Sequence, residues 1–282
     1  MLIFKNIKDI DRYLISRKKE GNKIAFAPTM GALHQGHISL IDEGKRRADL
    51  LVCSIFVNPT QFNDKADFDK YPNTISKDIE MLADVGCDVL FLPAVKEMYP
   101  DGFSNPTSID FGHIANILEG EHRPGHFDGM AQVVEKLLRI VKPHILLMGQ
   151  KDYQQQLIVR ELIKKRKMAT ELVTCPTLRE KDGLAMSSRN VRLDAAARKL
   201  AVTLNKLLKD ALSKLKKGSN PGILSIDGFK KLHETEGITP DYFAILDADN
   251  LMPVTAKTKK VIALTAAFIG GVRLIDNMLT DI

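Results

Sequence analysis

The chain has 282 residues, enough for one large domain or two modest ones, and its 44% hydrophobic and 27% charged residues exclude a disordered, collagen-like or low-complexity protein. Its formal net charge of +6 is spread over predicted helix faces such as 164–167 and 214–217, with no basic stripe interleaved with aromatics, so nucleic acid is not expected as a partner. Cys53, Cys87 and Cys175 are odd in number, far apart and without a CxxC pair, which reads as buried small hydrophobes in a reducing compartment.

In chain order, the N-terminal run MLIFKNIKDIDRYLISRKK is broken by Lys5, Lys8 and Asp9. No apolar stretch approaches the roughly 20 residues a membrane span needs, so neither signal peptide nor membrane is expected and a cytoplasmic location is. Apolar runs at 23–28, 50–57, 88–93, 144–149 and 171–175 predict fully buried strands. Amphipathic patterns at 37–48, 74–86, 128–141 and 152–168 predict helices between them. This alternation implies a doubly wound, Rossmann-like parallel sheet, whose ligands bind beyond the carboxyl ends of the strands where strand order reverses.

After about residue 177 the pattern changes. A long helix is expected over 194–217, stopping at Gly218, and another follows Pro221; strands are then expected at 241–248, 259–270 and 272–276. The expected organisation is therefore an α/β domain at 1–177 and a smaller α+β domain at 178–282 carrying a short antiparallel sheet. The second domain, placed across the carboxyl edge of the first, would form a lid.

The segment Pro28-Thr29-Met30-Gly31-Ala32-Leu33-His34-Gln35-Gly36-His37 follows the first predicted strand and opens a helix. Gly31 and Gly36 permit close backbone approach, and a helix N-terminus offers N–H groups and a positive dipole end. His34 and His37 can then donate to phosphate oxygens as charge builds in a displacement at phosphorus. A zinc pair and a purely structural pair are the competing readings, and for zinc no further ligand has matching spacing. Asn58 and Gln61 in FVNPTQF carry amides suited to hydroxyl and carboxylate recognition. In Gly149-Gln150-Lys151-Asp152, Lys151 can neutralise a phosphate and Asp152 can take a ribose hydroxyl or simply cap a helix, while Gln155 lies one turn into that helix. Met186-Ser187-Ser188-Arg189 supplies two hydroxyls and a guanidinium that can clamp a triphosphate.

PTMGALHQGH, FVNPTQF, YPNTISKD, LEGEHRPGHF, GQKDYQQ, DGLAMSSRN and RLIDN occur in this order between about Pro28 and Asn277, and together they resemble the pantothenate synthetase (pantoate–β-alanine ligase) family. HxGH alone marks only the wider superfamily of nucleotidylyltransferases and class I aminoacyl-tRNA synthetases. The resemblance implies condensation of pantoate with β-alanine through a pantoyl adenylate, with ATP consumed and AMP and pyrophosphate released. It implies catalytic roles for His37 (proton donor), His34, Lys151 and Arg189. ATP would be held by Met30 to His37, Gly149 to Asp152, the backbone of Leu178, and Met186 to Arg189. Pro28, Met30, Gln61, Val133, Val134 and Gln155 would bind pantoate, with Gln61 also bordering β-alanine. It further implies Mg²⁺ on the triphosphate with Asp78 nearby, a homodimer, and a loop beside the cleft carrying Glu119 and Arg123. Gln150, Thr60, Met130 and Lys77 depart from the usual pattern without removing a group the chemistry needs.

His122 and His126 have i,i+4 spacing, but Pro124 between them argues against a shared helix face and a zinc pair. His113, His144 and His233 read as ordinary surface or core residues. Three rivals share parts of this pattern: a dinucleotide-forming nucleotidylyltransferase, a tRNA synthetase-like protein, and a non-catalytic nucleotide sensor. The paired Gln61 and Gln155 and the lack of a basic RNA-binding extension argue against the first two.

Overall fold

The computed structural model describes residues 1–62, 68–103 and 109–282. The chain divides into two compact units, one of residues 1–150 with 154–176, the other of residues 151–153 with 177–282.

The first unit is built on six parallel strands: β1 (Leu2–Phe4), β2 (Ile24–Thr29), β3 (Leu50–Ile55), β4 (Val89–Phe91), β5 (Ile145–Gly149) and β6 (Glu171–Cys175). Their order is β1-β4-β3-β2-β5-β6, so strand order reverses between β2 and β5. Side chains alternate across the sheet. Ile24 and Phe26 face a core with Ile10 and Leu14 of α1 (Ile7–Lys19) and with residues from two helices that the chain adds later. Ala25, Ala27 and Cys53 face Ile41 of α2 (Gln35–Arg47) and Leu82 of α3 (Ile75–Asp84). The helices after β4 are α4 (Val95–Met98), α5 (Glu119–His122), α6 (His126–Val141) and α7 (Tyr153–Lys165). From α6, Leu137 and Leu138 join the Phe26 side of the core, as do Ile158 and Leu162 of α7.

Two strand expectations need correcting. The N-terminal apolar run, read only for targeting, forms β1, which pairs Leu2 with Val89 at the sheet edge. The run at 171–175 is not fully buried: as the opposite edge strand, β6 leaves Glu171 and Thr174 exposed. An edge strand has one neighbour, so a continuous apolar run does not guarantee coverage on both faces.

The second unit contains α8 (Ala195–Leu200), α9 (Val202–Leu215), α10 (Pro221–His233), β7 (Ile238–Asp247), β8 (Lys260–Ile269) and β9 (Val272–Asp281). The strands form an antiparallel sheet with β8 central. Leu204, Leu208 and Leu212 of α9 and Leu224 and Leu232 of α10 pack on Phe243, Ile245, Val261 and Ala263 of that sheet. The single helix expected over 194–217 is broken at Ala201, between α8 and α9. Its start is fixed by Asp194, whose carboxylate accepts from Ala197 N at 2.8 Å.

Candidate active site

The reversal of strand order puts the carboxyl ends of β2 and β5 side by side, and these ends release the PTMGALHQGH and GQKD segments. The turn leaving β2 is fixed locally. Thr29 Oγ1 donates to Ser54 O at 2.7 Å and accepts from Gly31 N at 3.2 Å. Gly31 and Ala32 then both take positive φ, 79° and 50°. At Gly31 a side chain would be strained by that φ, and its Cβ would stand 3.0 Å from Asp78 Oδ2.

Asp78, on the first turn of α3, explains why Ala32 tolerates this conformation. Its buried carboxylate accepts from Ala32 N at 2.9 Å, Leu33 N at 2.8 Å and Thr74 Oγ1 at 3.1 Å. Charge-assisted bonds of this kind hold a strained loop in one shape. The same bonds make Asp78 a poor direct metal ligand, because both its oxygens already face donors. Among the described residues no group of three or more His, Cys, Asp or Glu side chains is arranged to hold a metal ion.

The two histidines form a reciprocal cap at the start of α2. His34 Nδ1 accepts from Gly36 N at 3.1 Å, and His37 Nδ1 accepts from His34 N at 3.2 Å. Their rings stand 4.0 Å apart, centroid to centroid. This is a capping box with imidazoles in place of hydroxyl and carboxylate. An Nδ1 that accepts must be unprotonated, so in the neutral ring the proton sits on Nε2 in both cases. The geometry therefore differs from the expectation that free backbone N–H groups cradle the phosphate. The amides of Ala32, Leu33, His34 and Gly36 serve the loop's own structure, and both imidazoles stand at the positive end of the α2 dipole with Nδ1 committed to the cap.

Gln61 closes the 3₁₀ turn Pro59–Gln61 after β3 and is held at both ends. His126 Nδ1 lies 2.8 Å from its backbone carbonyl, and Asn58 Nδ2 donates to its Oε1 at 3.3 Å. Its Nε2 points to Met30 Sδ, 2.8 Å away, which brings these two predicted residues into contact. Pro28 and Met30 are half-buried, while Val133 and Val134 are buried on α6. His126, weighed from the sequence only as half of an unlikely zinc pair with His122, opens α6 and lies against the Gln61 carbonyl. Only the fold brings residues 65 positions apart together.

The run Gln154-Gln155-Gln156 on α7 is resolved by its hydrogen bonds. Gln154 is buried and donates to Ile114 O and Ile117 O while accepting from Glu119 N, so it pins the segment before α5. Gln156 accepts from the Thr174 hydroxyl. The Gln155 side chain is half-exposed and makes no hydrogen bond among the described residues.

Of the remaining predicted residues, Gly149 and Gln150 fall in the first unit, and Lys151, Asp152, Leu178 and Met186 to Arg189 in the second. Lys151 O accepts from Asn277 Nδ2 at 2.7 Å, and the Tyr153 hydroxyl donates to Ala248 O at 2.8 Å. The side chains of Lys151 and Asp152 make no hydrogen bond or ion pair among the described residues, so Asp152 is not a side-chain cap. Arg179 makes a two-pronged ion pair with buried Asp276, both at 2.8 Å, and also donates to Gly183 O and Asn277 O. This ties the segment holding Leu178 to β9. Met186 N donates to Leu178 O at 3.0 Å, and Ser187 Oγ accepts from Arg189 N at 3.2 Å at the head of the turn Ser188–Arg192. Asp276 and Asn277, the end of RLIDN, thus hold the Arg179 guanidinium, and Asn277 also holds the Lys151 backbone, a role the motif alone did not reveal.

A doubly wound sheet with paired imidazoles capping the helix after β2 defines a phosphate-handling α/β protein. The model of the pantoate-beta-alanine ligase family matches residues 2–279. A pantothenate synthetase of Stutzerimonas stutzeri is 42% identical over 282 residues, covering 100% of this chain and 99% of that protein. A pantoate–beta-alanine ligase of Schizosaccharomyces pombe is 42% identical over 271 residues, 94% of each chain. Among solved structures, a Thermus thermophilus pantothenate synthetase superposes with a TM-score of 0.92 at 35% identity, covering 99% of both chains. A Francisella tularensis pantoate-beta-alanine ligase, solved with beta-gamma ATP and beta-alanine, gives 0.83 at 40% identity, covering 99% of this chain and 97% of that one. The chain belongs to the pantoate–β-alanine ligase family.

Proposed function

We propose that the protein condenses pantoate with β-alanine at the expense of ATP, in two steps. A pantoate carboxylate oxygen attacks the α-phosphorus of ATP, the bond to the β-phosphate breaks, and pyrophosphate leaves. The β-alanine nitrogen then attacks the acyl carbon of pantoyl adenylate, the carbon–oxygen bond to AMP breaks, and the amine proton passes to solvent. The protein supplies no nucleophile, so its work is positioning and charge stabilisation.

The observation that carries this reading is the reciprocal His34–His37 cap, which directs two Nε2–H donors from a helix N-terminus. In the proposal the Nε2–H of His37 donates a hydrogen bond to the departing phosphate oxygen without losing its proton, and His34 stabilises the same charge. Lys151 and Arg189 neutralise the triphosphate, with Met186, Ser187 and Ser188 beside it. The remaining nucleotide residues are Met30 to Gly36, Gly149, Gln150, Asp152 and Leu178. Gln61 and Gln155 hold the hydroxyls and carboxylate of pantoate, and Pro28, Met30, Val133 and Val134 wall its methyl groups. Gln61 also borders β-alanine. Mg²⁺ enters on the phosphates of the nucleotide, since the bonds of Asp78 argue against direct ligation, and no step is routed through a protein-held ion.

A cytoplasmic setting and a homodimer belong to the same proposal. Three unpaired cysteines support the first. Exposed Met1, Leu2 and Ile3 at the β1 edge support the second, and sedimentation would test it. The chemical test is ATP–pyrophosphate exchange, which should require pantoate and proceed before β-alanine is added. Exchange without pantoate, or only with an amino acid, would overturn the reading.

A further inference from the structure

The geometry points to Tyr99 as a positioning residue that decides, through Asn58, which end of the Gln61 amide faces the substrate. The inference rests on the reading above that Gln61 binds pantoate, and it adds the polarity of that contact.

Amide orientation follows from one group that cannot change its role. The carbonyl of Gly129 on α6 can only accept, and it lies 3.2 Å from one end of the Asn58 amide, which must therefore be Nδ2. Asn58 Oδ1 then faces the Tyr99 hydroxyl at 2.9 Å, and Tyr99 is the donor. The same Nδ2 lies 3.3 Å from Gln61, which must present its oxygen there. Gln61 is thus turned with Oε1 toward the protein and Nε2 toward Met30. It offers the substrate hydrogens only, and so selects an acceptor: a carboxylate oxygen or a hydroxyl lone pair.

The surroundings hold this relay in place. Tyr99 is 4% exposed and Asn58 1%, so water cannot replace a lost bond. The Tyr99 ring packs against Phe56 and lies under Lys136 Nζ, 4.2 Å from its centroid. Gly129 allows the helix to touch the turn, since a Cβ there would stand 2.1 Å from Thr60 O. Thr60 Oγ1 lies 3.0 Å from Asn58 Nδ2 and 3.3 Å from Asn58 Oδ1, so its hydroxyl can also donate to that carbonyl, at a longer distance than Tyr99 does.

The test compares Tyr99→Phe and Gln61→Ala with the unaltered protein in the exchange assay, reading KM for pantoate and for ATP together with the melting temperature. Tyr99→Phe keeps the ring and its packing, and is expected to raise KM for pantoate several-fold with KM for ATP unchanged, since Thr60 Oγ1 supplies only the longer of the two bonds to the Asn58 carbonyl. If Gln61→Ala leaves KM for pantoate unaltered, the underlying reading of Gln61 fails, whatever Tyr99 does. If Gln61→Ala raises it and Tyr99→Phe does not, the relay is overturned and the reading of Gln61 stands. A matched rise in both constants with a lowered melting temperature is a general packing defect and also overturns the relay. Should Tyr99→Phe not fold, Asn58→Ala carries the test: the relay requires a several-fold rise in KM for pantoate with KM for ATP unchanged, and an unchanged value, or a matched rise in both, refutes it.

Discussion

The two units hold the residues proposed to handle phosphate by opposite strategies. In the first, the functional side chains are themselves fixed: His34 and His37 cap one helix reciprocally, and Asp78 locks the loop that carries them. In the second, the backbone is fixed and a long side chain is left unbonded. Asn277 holds Lys151 by its carbonyl, while the Lys151 ammonium has no hydrogen bond or ion pair among the described residues. A donor aimed at a developing charge stabilises it most when already oriented. A flexible ammonium suits a triphosphate that arrives and leaves, because it acts as a point charge without strict geometry.

This contrast can be broken first at the histidines. His37→Ala is expected to lower kcat by roughly 10²–10³, the scale of losing one oriented donor, and steady-state kinetics would measure it. A variant turning over near the normal rate would end the view that orientation matters in this unit. Asp78→Ala comes next. It leaves the Ala32 and Leu33 amides without their acceptor and should cost about 2–4 kcal/mol of stability, seen in denaturant melts, together with most of the activity. Retained activity in a merely less stable protein would mean that the loop needs no lock.

Smaller effects are expected where the backbone is what is held. Asn277→Ala removes one bond to Lys151 O and should cost about 1 kcal/mol, raising KM for ATP several-fold while leaving KM for pantoate unchanged. A matching change in both constants would erase the distinction between the units.

The smallest effect is a pH dependence confined to the first unit, which holds all three cysteines. Burial pushes the thiols of Cys87 and Cys175 up to about 11 and also raises Cys53. A thiol whose folded pKa is raised stabilises the fold fully below its unfolded pKa, and that contribution is lost as pH rises through the folded value. Stability should therefore fall from about pH 9 toward about pH 11, and Cys87→Ala should flatten the fall by under about 1 kcal/mol at pH 9.5. Hydrogen exchange would show whether β3 and β6 loosen before β7 to β9.

Much of the architecture and chemistry was legible in the residues because both repeat at short range. Alternating apolar runs and helix patterns announced the parallel sheet, and HQGH announced a helix N-terminus with two imidazoles. Edge position was not legible. β1 and β6 are edges because of strand order, and order depends on which helices cover which face. The break at Ala201 was equally hidden, since nothing in 194–217 forbids a continuous helix.

For the site, the sequence by itself determined the inventory: two histidines, the amides of Gln61 and Gln155, Lys151 and Arg189. The tertiary structure decided what each polar atom is committed to. It turned Asp78 into the lock of the histidine loop, separated Gln155 from its bonded neighbours Gln154 and Gln156, and brought His126 and Tyr99 to Gln61 from far along the chain. The reason is physical. Residue types and local periodicity fix which donors and acceptors exist, but a buried hydrogen bond depends on distances between segments, and only the packed fold sets those.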